Sequence, residues 1–408
     1  MTAPRHTRRW PAAIVHDGQN YLTTAQVAKV LGIKPESIYA YVSRGRLASI
    51  RIDGVRGSLF PVEQVERLIG VDARPRTPAG AVERIRTHLT SLADDELRYR
   101  GQTIANLVGL DFYDVAQLLW DHDVPQAKSP LSNDDAQRLA ALLPASATRL
   151  DVVRLAVDLA AAADRLRHLR TGTEVAGKAV GMLEAIVTAL PGAPAAEVGS
   201  YAKRLWPKLS PLAPTRRRVA LLNQALILLA DHDLAASTVA ARVAASARAS
   251  IYAVVAAGLG ALDGPLHGGA ATAAYRYLQA ALDDPQRCVA DSLRVGELIP
   301  GTGHRVYRMQ DPRAVALLAA LAEADGGDRR VQPAVDAIVG ATPGTPGRFV
   351  NSDFALAALA LRFRMPADAP ETIFGIARIV GWVAHALEEY DEPLLRFRPE
   401  GVYVGKRV

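Results

Sequence analysis

Four segments of the 408-residue chain surround an imidazole or a carboxylate with glycine or small residues: LADHDLAAST (229–238), GPLHGGA (264–270), IPGTGHRVYRMQDPRA (299–314) and NSDFALA (351–357). Two later ones, IARIVGW and FRPEGVYVG, contain Arg378 and Arg398. Imidazoles and carboxylates move protons, and planar guanidinium forks grip carboxylates through paired hydrogen bonds. Glycines beside His267 and His304 let backbone and substrate approach closely and leave the rings accessible. Each residue also has a plainer reading. Asp231-His232-Asp233 suits a helix start, Asp353 suits an N-cap for the apolar helix behind it, and Arg313 and Arg378 suit ordinary ion pairs. Their joint arrangement is much harder to explain by structure alone.

The elements that must position these groups read as helices. From about residue 82 to 390 the chain is dominated by Ala, Leu and Arg with apolar spacing of the 3.6 type, as in VVRLAVDLAAAADRL and DFALAALALRF. Strong strand runs and a glycine fingerprint after a strand are missing, which argues against a doubly wound sheet. No repeat of solenoid period stands out. The single Cys288 precludes an intrachain disulfide, and no Cys/His cluster has zinc-ligand spacing, so no metal is expected. No apolar run approaches the roughly 20 residues that span a bilayer, and the N-terminus lacks the apolar stretch of a signal peptide. A reducing, cytoplasmic setting without membrane contact is the expectation.

Charge divides the chain. Ten Lys/Arg against five Asp/Glu place +5 of the net +6 in the first 70 residues. There, YLTTAQVAKV reads as a short helix entered at Thr23 or Thr24, IYAYVSRG as a second ending near Gly45, LASIRIDGVRGSLF as a hairpin-like wing around Asp53-Gly54, and PVEQVERLI as a Pro-started helix. This order resembles the winged helix-turn-helix of the MerR and excisionase type, with Thr24, Val27, Ala28, Leu31, Gly32, Ile38, Tyr39, Gly45 and Leu47 as the packing residues. The second helix offers Glu36, Ser37, Ala40, Tyr41 and Ser43, with Arg44 and Arg46 at its end and Arg51 and Arg56 in the wing. Glu36 would repel phosphates, so DNA is not the favoured partner, and an interaction or regulatory appendage competes well with it.

The later segments together closely resemble the citrate synthase family in residues, order and spacing. LRYRGQTIANLVGLDFYDVAQLLWDHDVP (97–125) and KRLWPKLSP (203–211) extend the likeness over about residues 82 to 406. The resemblance implies an all-α fold: a winged helix-turn-helix-like domain at 1–70, a linker at 71–81, a large helical domain at 82–267 and 373–408, and a small domain at 268–372 that closes over substrate. It implies an acyltransferase that condenses acetyl-CoA with oxaloacetate and water, giving citrate and CoA. Asp353 would be the base that takes the methyl proton, His267 the donor to the thioester oxygen, and His304 the donor to the ketone. His232, Arg313, Arg378 and Arg398 would hold oxaloacetate, with Arg398 reaching the partner's site in a homodimer. CoA, a substrate and not a cofactor, would lie along Leu298, Ile299, Pro300, Gly301 and Gly303, with Arg308 placed for a phosphate. A 2-methylcitrate synthase using propionyl-CoA, or dual activity, is the near alternative. A DNA-binding regulator with a synthase-like sensor domain is the alternative of another class.

The chain departs from that family's pattern at Ala235, where Asn is common after the histidine of the ADHE-type segment, and at Ala271, in place of the Asn of GGAN. The segment after LLPAS (142–146) also lacks the usual His-Pro-Met run.

Overall fold

The computed structural model describes residues 13–16, 19–31, 33–43, 45, 47–52, 54, 55, 57–62, 64, 65, 85–196, 198–342 and 347–397. Arg398, the 71–81 linker, Gly32, Arg44, Arg46, Asp53 and Arg56 lie outside them. Two compact units form, one ending at Ile85 and one spanning Arg86–Arg398.

In the first unit, strands β1 (Ile14–His16), β2 (Gln19–Thr23) and β3 (Leu59–Pro61) form an antiparallel sheet in the order β1-β2-β3, with Tyr21 opposite both Ile14 and Pro61. Helices α1 (Thr24–Leu31) and α2 (Pro35–Ser43) pack on it around Leu22, Val27, Ala28, Val30, Ile38, Leu47, Phe60 and Val65. The helix entry at Thr24 and the turn at Gly45, with φ +66°, follow the sequence pattern. Three points differ. Tyr39 is 61% exposed and packs nothing, because Ile38 takes the inward position of α2. The wing makes one bridge, Ile50 to Leu59, since Leu59–Pro61 pairs instead with β2. Pro61 closes β3 instead of starting the helix, residues 62, 64 and 65 are helical, and the rest of the PVEQVERLI segment lies outside the described residues.

The second unit is helical apart from a small antiparallel sheet, β4 (Thr90–Ala93), β5 (Glu96–Tyr99) and β6 (Gln102–Thr103). The RYRG segment is therefore strand and turn within an otherwise helical unit, in keeping with the helical reading; strands of two to four residues are too short to show a pattern of alternation. The helices are α3 (Ile104–Leu107), α4 (Phe112–Trp120), α5 (Asn133–Leu142), α6 (Arg149–Ala163), α7 (Gly172–Ala189), α8 (Tyr201–Leu209), α9 (Arg216–Leu229), α10 (Ala236–Ser246), α11 (Ile251–Leu262), α12 (Gly269–Ala280), α13 (Pro285–Val295), α14 (Pro312–Ala322), α15 (Val331–Ala341), α16 (Ser352–Arg362) and α17 (Ala369–Tyr390). No described helix is long and apolar enough to cross a membrane.

Side chains set many of the starts. Asp111, Ser132 and Thr148 each form a reciprocal capping box with an aspartate three residues on, ahead of α4, α5 and α6. At the centre, α17 packs against α4, α6, α7, α9, α10, α11, α12 and α16, and is buried almost all round. Its residues 374, 378, 381, 385 and 389 recur at steps of three and four, so they share one face. At Gly381 a β-carbon would come within 2.3 Å of Asp231 Oδ1 and 2.5 Å of the Ala230 carbonyl. Only glycine lets the segment between α9 and α10, which bears His232, lie this close to α17.

Candidate active site

A cavity of about 980 Å³ opens where the α9–α10 connection, the start of α12, the 303–306 loop, the starts of α14 and α16, and α17 converge. His232, His267, Gly303, His304, Arg313, Asp353 and Arg378 all line it. Leu298, Ile299, Pro300, Gly301 and Arg308 do not: Leu298 is exposed, Ile299 is buried, and the Arg308 N–H is bonded to Asp95.

Asp353 sits in the first turn of α16, and the cap is its neighbour Asn351, whose Oδ1 accepts from the Asp353 and Phe354 N–H groups at 3.0 and 3.3 Å. The same side chain donates through Nδ2 to the Gly303 carbonyl at 2.9 Å. One asparagine thus ties the helix bearing Asp353 to the loop bearing His304. Gly301, at φ +80°, lets that loop come close: a β-carbon there would lie 2.8 Å from Phe354 Cβ. Asp353 Oδ1 is buried and finds no donor among the described residues. Burial pushes its carboxyl up to about 7 despite the opposing charges of Arg313 and Arg378.

The three imidazoles are neutral. Burial, reinforced by Arg313, holds His304 down to about 4; burial and Arg378 do the same to His267; burial with Arg313 and Arg378 holds His232 well below its ordinary value. His304 Nδ1 accepts from the Val306 and Tyr307 N–H groups at 3.0 and 3.2 Å, so the proton of the neutral ring sits on Nε2 and is free to donate. His267 Nε2 lies 2.8 Å from Ser237 Oγ, and with the hydroxyl as donor the ring's proton is on Nδ1. His232 Nε2 meets the Tyr307 hydroxyl at 3.1 Å and crosses the His304 ring edge to face, with centroids 5.0 Å apart.

The two arginines differ. Arg313 makes a bidentate pair with buried Asp311 at 2.9 and 2.8 Å, and Asp311 also accepts from the Arg313 and Ser352 N–H groups. Although burial alone would raise it, the Arg313 charge keeps the Asp311 carboxyl below its usual range. Arg378 is fully buried, donates from Nε to the Leu229 carbonyl at 2.9 Å, and lies over the Phe374 ring. Its Nη1 and Nη2 are buried with no acceptor among the described residues. A buried charge with two orphaned donors is costly unless an anion completes it.

Behind this wall, Arg242 donates from Nε to His385 Nδ1 at 3.0 Å, which places the His385 proton on Nε2, facing Asp231. Arg242 also pairs with Glu388 and Glu389. Asp231 further accepts from Thr90 Oγ1 and the Asp233 N–H. Burial would raise its carboxyl, but His385 and Arg378 outweigh that and keep it below its usual range. Sequence reading missed Asp95, Asn351 as a clamp, Asp311, Ser237, Tyr307 and His385. The DPR and RVY strings hold two of them, but nothing in a string shows which backbone they will meet.

Ala235 is the N-cap of α10 and supplies no side-chain hydrogen bond. Its φ of −59° and ψ of 161° suit a capping residue, so Ala235→Asn is expected to raise unfolding stability by about 1 kcal/mol in denaturant titration.

Residues 80–400 match the family described as citrate synthase, C-terminal domain, and residues 21–70 match a helix-turn-helix domain. A citrate synthase of Haloferax volcanii is 38% identical over 193 residues, 45% of this chain and 50% of the relative. Citrate synthase 2 of Bacillus subtilis is 36% identical over 199 residues, 47% of this chain and 52% of the relative. The chain spans about half the length of the curated relatives it matches. Among solved structures, citrate synthase from Thermotoga maritima aligns with a TM-score of 0.65 at 25% identity, over 81% of this chain and 96% of the other. A Thermoplasma acidophilum citrate synthase in ternary complex with carboxymethyl coenzyme A and oxaloacetate aligns with a TM-score of 0.65 at 24% identity, over 80% of this chain and 95% of the other. With most of its length matched in sequence and in fold, and an N-terminal helix-turn-helix ahead of that match, the chain belongs to the citrate synthase family.

Proposed function

We propose that the protein condenses the methyl carbon of acetyl-CoA with the ketone of oxaloacetate and hydrolyses the resulting thioester to citrate and CoA. The observation that carries this reading is the pairing, in one cavity, of a buried carboxylate poised near 7 with two unpartnered guanidinium nitrogens. In support, the T. acidophilum relative was solved with a CoA analogue and oxaloacetate.

Asp353, as carboxylate, takes a methyl proton while His267 donates to the thioester oxygen and stabilises the enolate. The enolate carbon attacks the oxaloacetate ketone, and the His304 Nε2–H donates to the oxygen that becomes the alkoxide. Neutral donors suit this step because they share a proton with the oxygen without surrendering it beforehand. Arg378 and Arg313, with His232, hold the two carboxylates and present one face of the ketone. Water then cleaves the citryl thioester, releasing CoA. Arg398 completes the dicarboxylate site from a second copy of the chain, and closure of 268–372 over the cleft shields the thioester. A homodimer in the cytoplasm, within the tricarboxylic acid cycle, is part of the same reading.

Propionyl-CoA, one methylene longer and giving 2-methylcitrate, is the second acyl donor under this reading. One methylene changes kcat/KM by about 10- to 200-fold at most, so both thioesters should turn over measurably. Thiol release by the purified protein with oxaloacetate and acetyl-, propionyl- or butyryl-CoA tests the proposal. Absence of turnover with all three, together with salt-sensitive DNA binding, would replace it with the regulator reading.

A further inference from the structure

The turn between β4 and β5 is a two-residue hairpin loop, Asp94-Asp95, with Ala93 opposite Glu96. Both residues are left-handed, at φ +52° and +57°, where such turns prefer Asn-Gly or Asp-Gly. Two adjacent non-glycine residues in this region persist only where surrounding contacts hold them. Here the contact is with a segment more than 200 residues away. Asp95 Oδ1 accepts from the Arg308 N–H at 2.7 Å, and Oδ2 accepts from those of Met309 and Gln310 at 2.7 and 3.4 Å. Three successive backbone N–H groups converging on one carboxylate form a small anion nest. They hold the Asp95 carboxyl below its ordinary value, the Arg308 N–H contributing most.

The captured segment is the far end of the loop that starts at His304. At its near end, His304 Nδ1 receives the Val306 and Tyr307 N–H groups, and the Tyr307 hydroxyl reaches His232. Leu92, on the same hairpin as Asp95, lines the same cavity as Arg305 and Val306. We infer that Asp95 is a positioning residue for the condensation: by fastening residues 308–310 to the hairpin it holds the 304–307 turn, and with it the donating edge of His304, against the cavity. This rests on the reaction proposed above for the same site.

The paired variants Asp94→Gly and Asp95→Gly separate this role from hairpin stability. Each relieves one left-handed non-glycine residue, and only the second removes the carboxylate. Asp94→Gly should keep kcat and both KM values within about two-fold of wild type. Asp95→Gly should still fold, with a Tm no higher than that of Asp94→Gly because three hydrogen bonds are lost, yet lose about 10- to 100-fold in kcat, with the oxaloacetate KM little changed because Arg313 and Arg378 keep their contacts. Wild-type kcat in Asp95→Gly would overturn the inference. Amide hydrogen exchange supplies a readout that does not need turnover. Faster exchange in Asp95→Gly at 308–310 that spreads to Val306 and Tyr307 supports the clasp, and exchange confined to 308–310 overturns it. An inactive wild type with the spreading pattern would therefore remove the proposed reaction while leaving the loop-holding role of Asp95 standing.

Discussion

Asp353→Asn should cut turnover by about 10³-fold or more while leaving oxaloacetate binding within a few-fold of wild type. The asparagine keeps the shape of the side chain and the start of α16, which Asn351 caps independently, but it cannot accept a proton. The groups proposed to hold the dicarboxylate are untouched. Two further signatures follow from the carboxyl being pushed up to about 7. In the wild type, the base is active only when ionised, so kcat/KM for the acyl-CoA should fall tenfold per pH unit below about pH 7 and level off above it. The stability effect has a definite sign. The folded carboxyl binds its proton more tightly than the unfolded one at 3.8, so its contribution is fully present below about pH 4 and is lost as pH rises through about 7. Removing the ionisable group should therefore raise Tm at about pH 8 and have little effect near pH 4. Turnover that survives the substitution would take Asp353 out of the base's role, and a lower Tm at pH 8 would show that its carboxylate is stabilised by its surroundings.

The second large effect belongs to Arg378. Arg378→Lys should weaken oxaloacetate binding about 100-fold, read as Kd by calorimetry or as KM, because an ammonium cannot offer the paired Nη1 and Nη2 donors while Nε holds the Leu229 carbonyl. Arg378→Met should bind still less, yet the ligand-free protein should be as stable as wild type or more so, since an apolar side chain replaces a buried charge with two orphaned donors. Citrate or oxaloacetate at 100 times its Kd should stabilise the wild type by about 2.7 kcal/mol, and the methionine variant should show almost none of that gain. Equal ligand-induced Tm shifts in wild type and variant would place the dicarboxylate elsewhere.

The sequence carried the helical character of residues 82–390, the helix-turn-helix order and six of the side chains that line the cavity, because motif strings and 3.6-residue periodicity are local properties. His232, His267, His304, Arg313, Asp353 and Arg378 come from stretches up to 146 residues apart, yet they line one cavity. What was not legible works at long range through backbone groups. Asp95 binds N–H groups at 308–310, Asn351 binds the Gly303 carbonyl, and Asp311 joins Arg313 to the start of α16. A string shows that an aspartate is present but not which amide it will meet. The short strands were invisible for lack of length, and Tyr39 was misplaced because the inward position of α2 falls to Ile38. The reading of Arg313 as an ordinary ion pair describes part of the truth, since Asp311 does pair with it, whereas Arg378 has no carboxylate partner among the described residues.

Helix α17 carries Phe374 and Arg378 at the cavity, Gly381 under the Asp231 turn, and His385 and Glu389 in the network behind it. Each added residue turns a helix by about 100° and lengthens it by about 1.5 Å. An insertion or deletion anywhere between 374 and 389 would swing the groups on one side of it away from their partners on the other. A change of length in the loops before or after this helix leaves that spacing intact, but across these sixteen positions the ruler has no slack. Substitution, and not change of length, is the route by which evolution can retune the Arg378 end of this cavity.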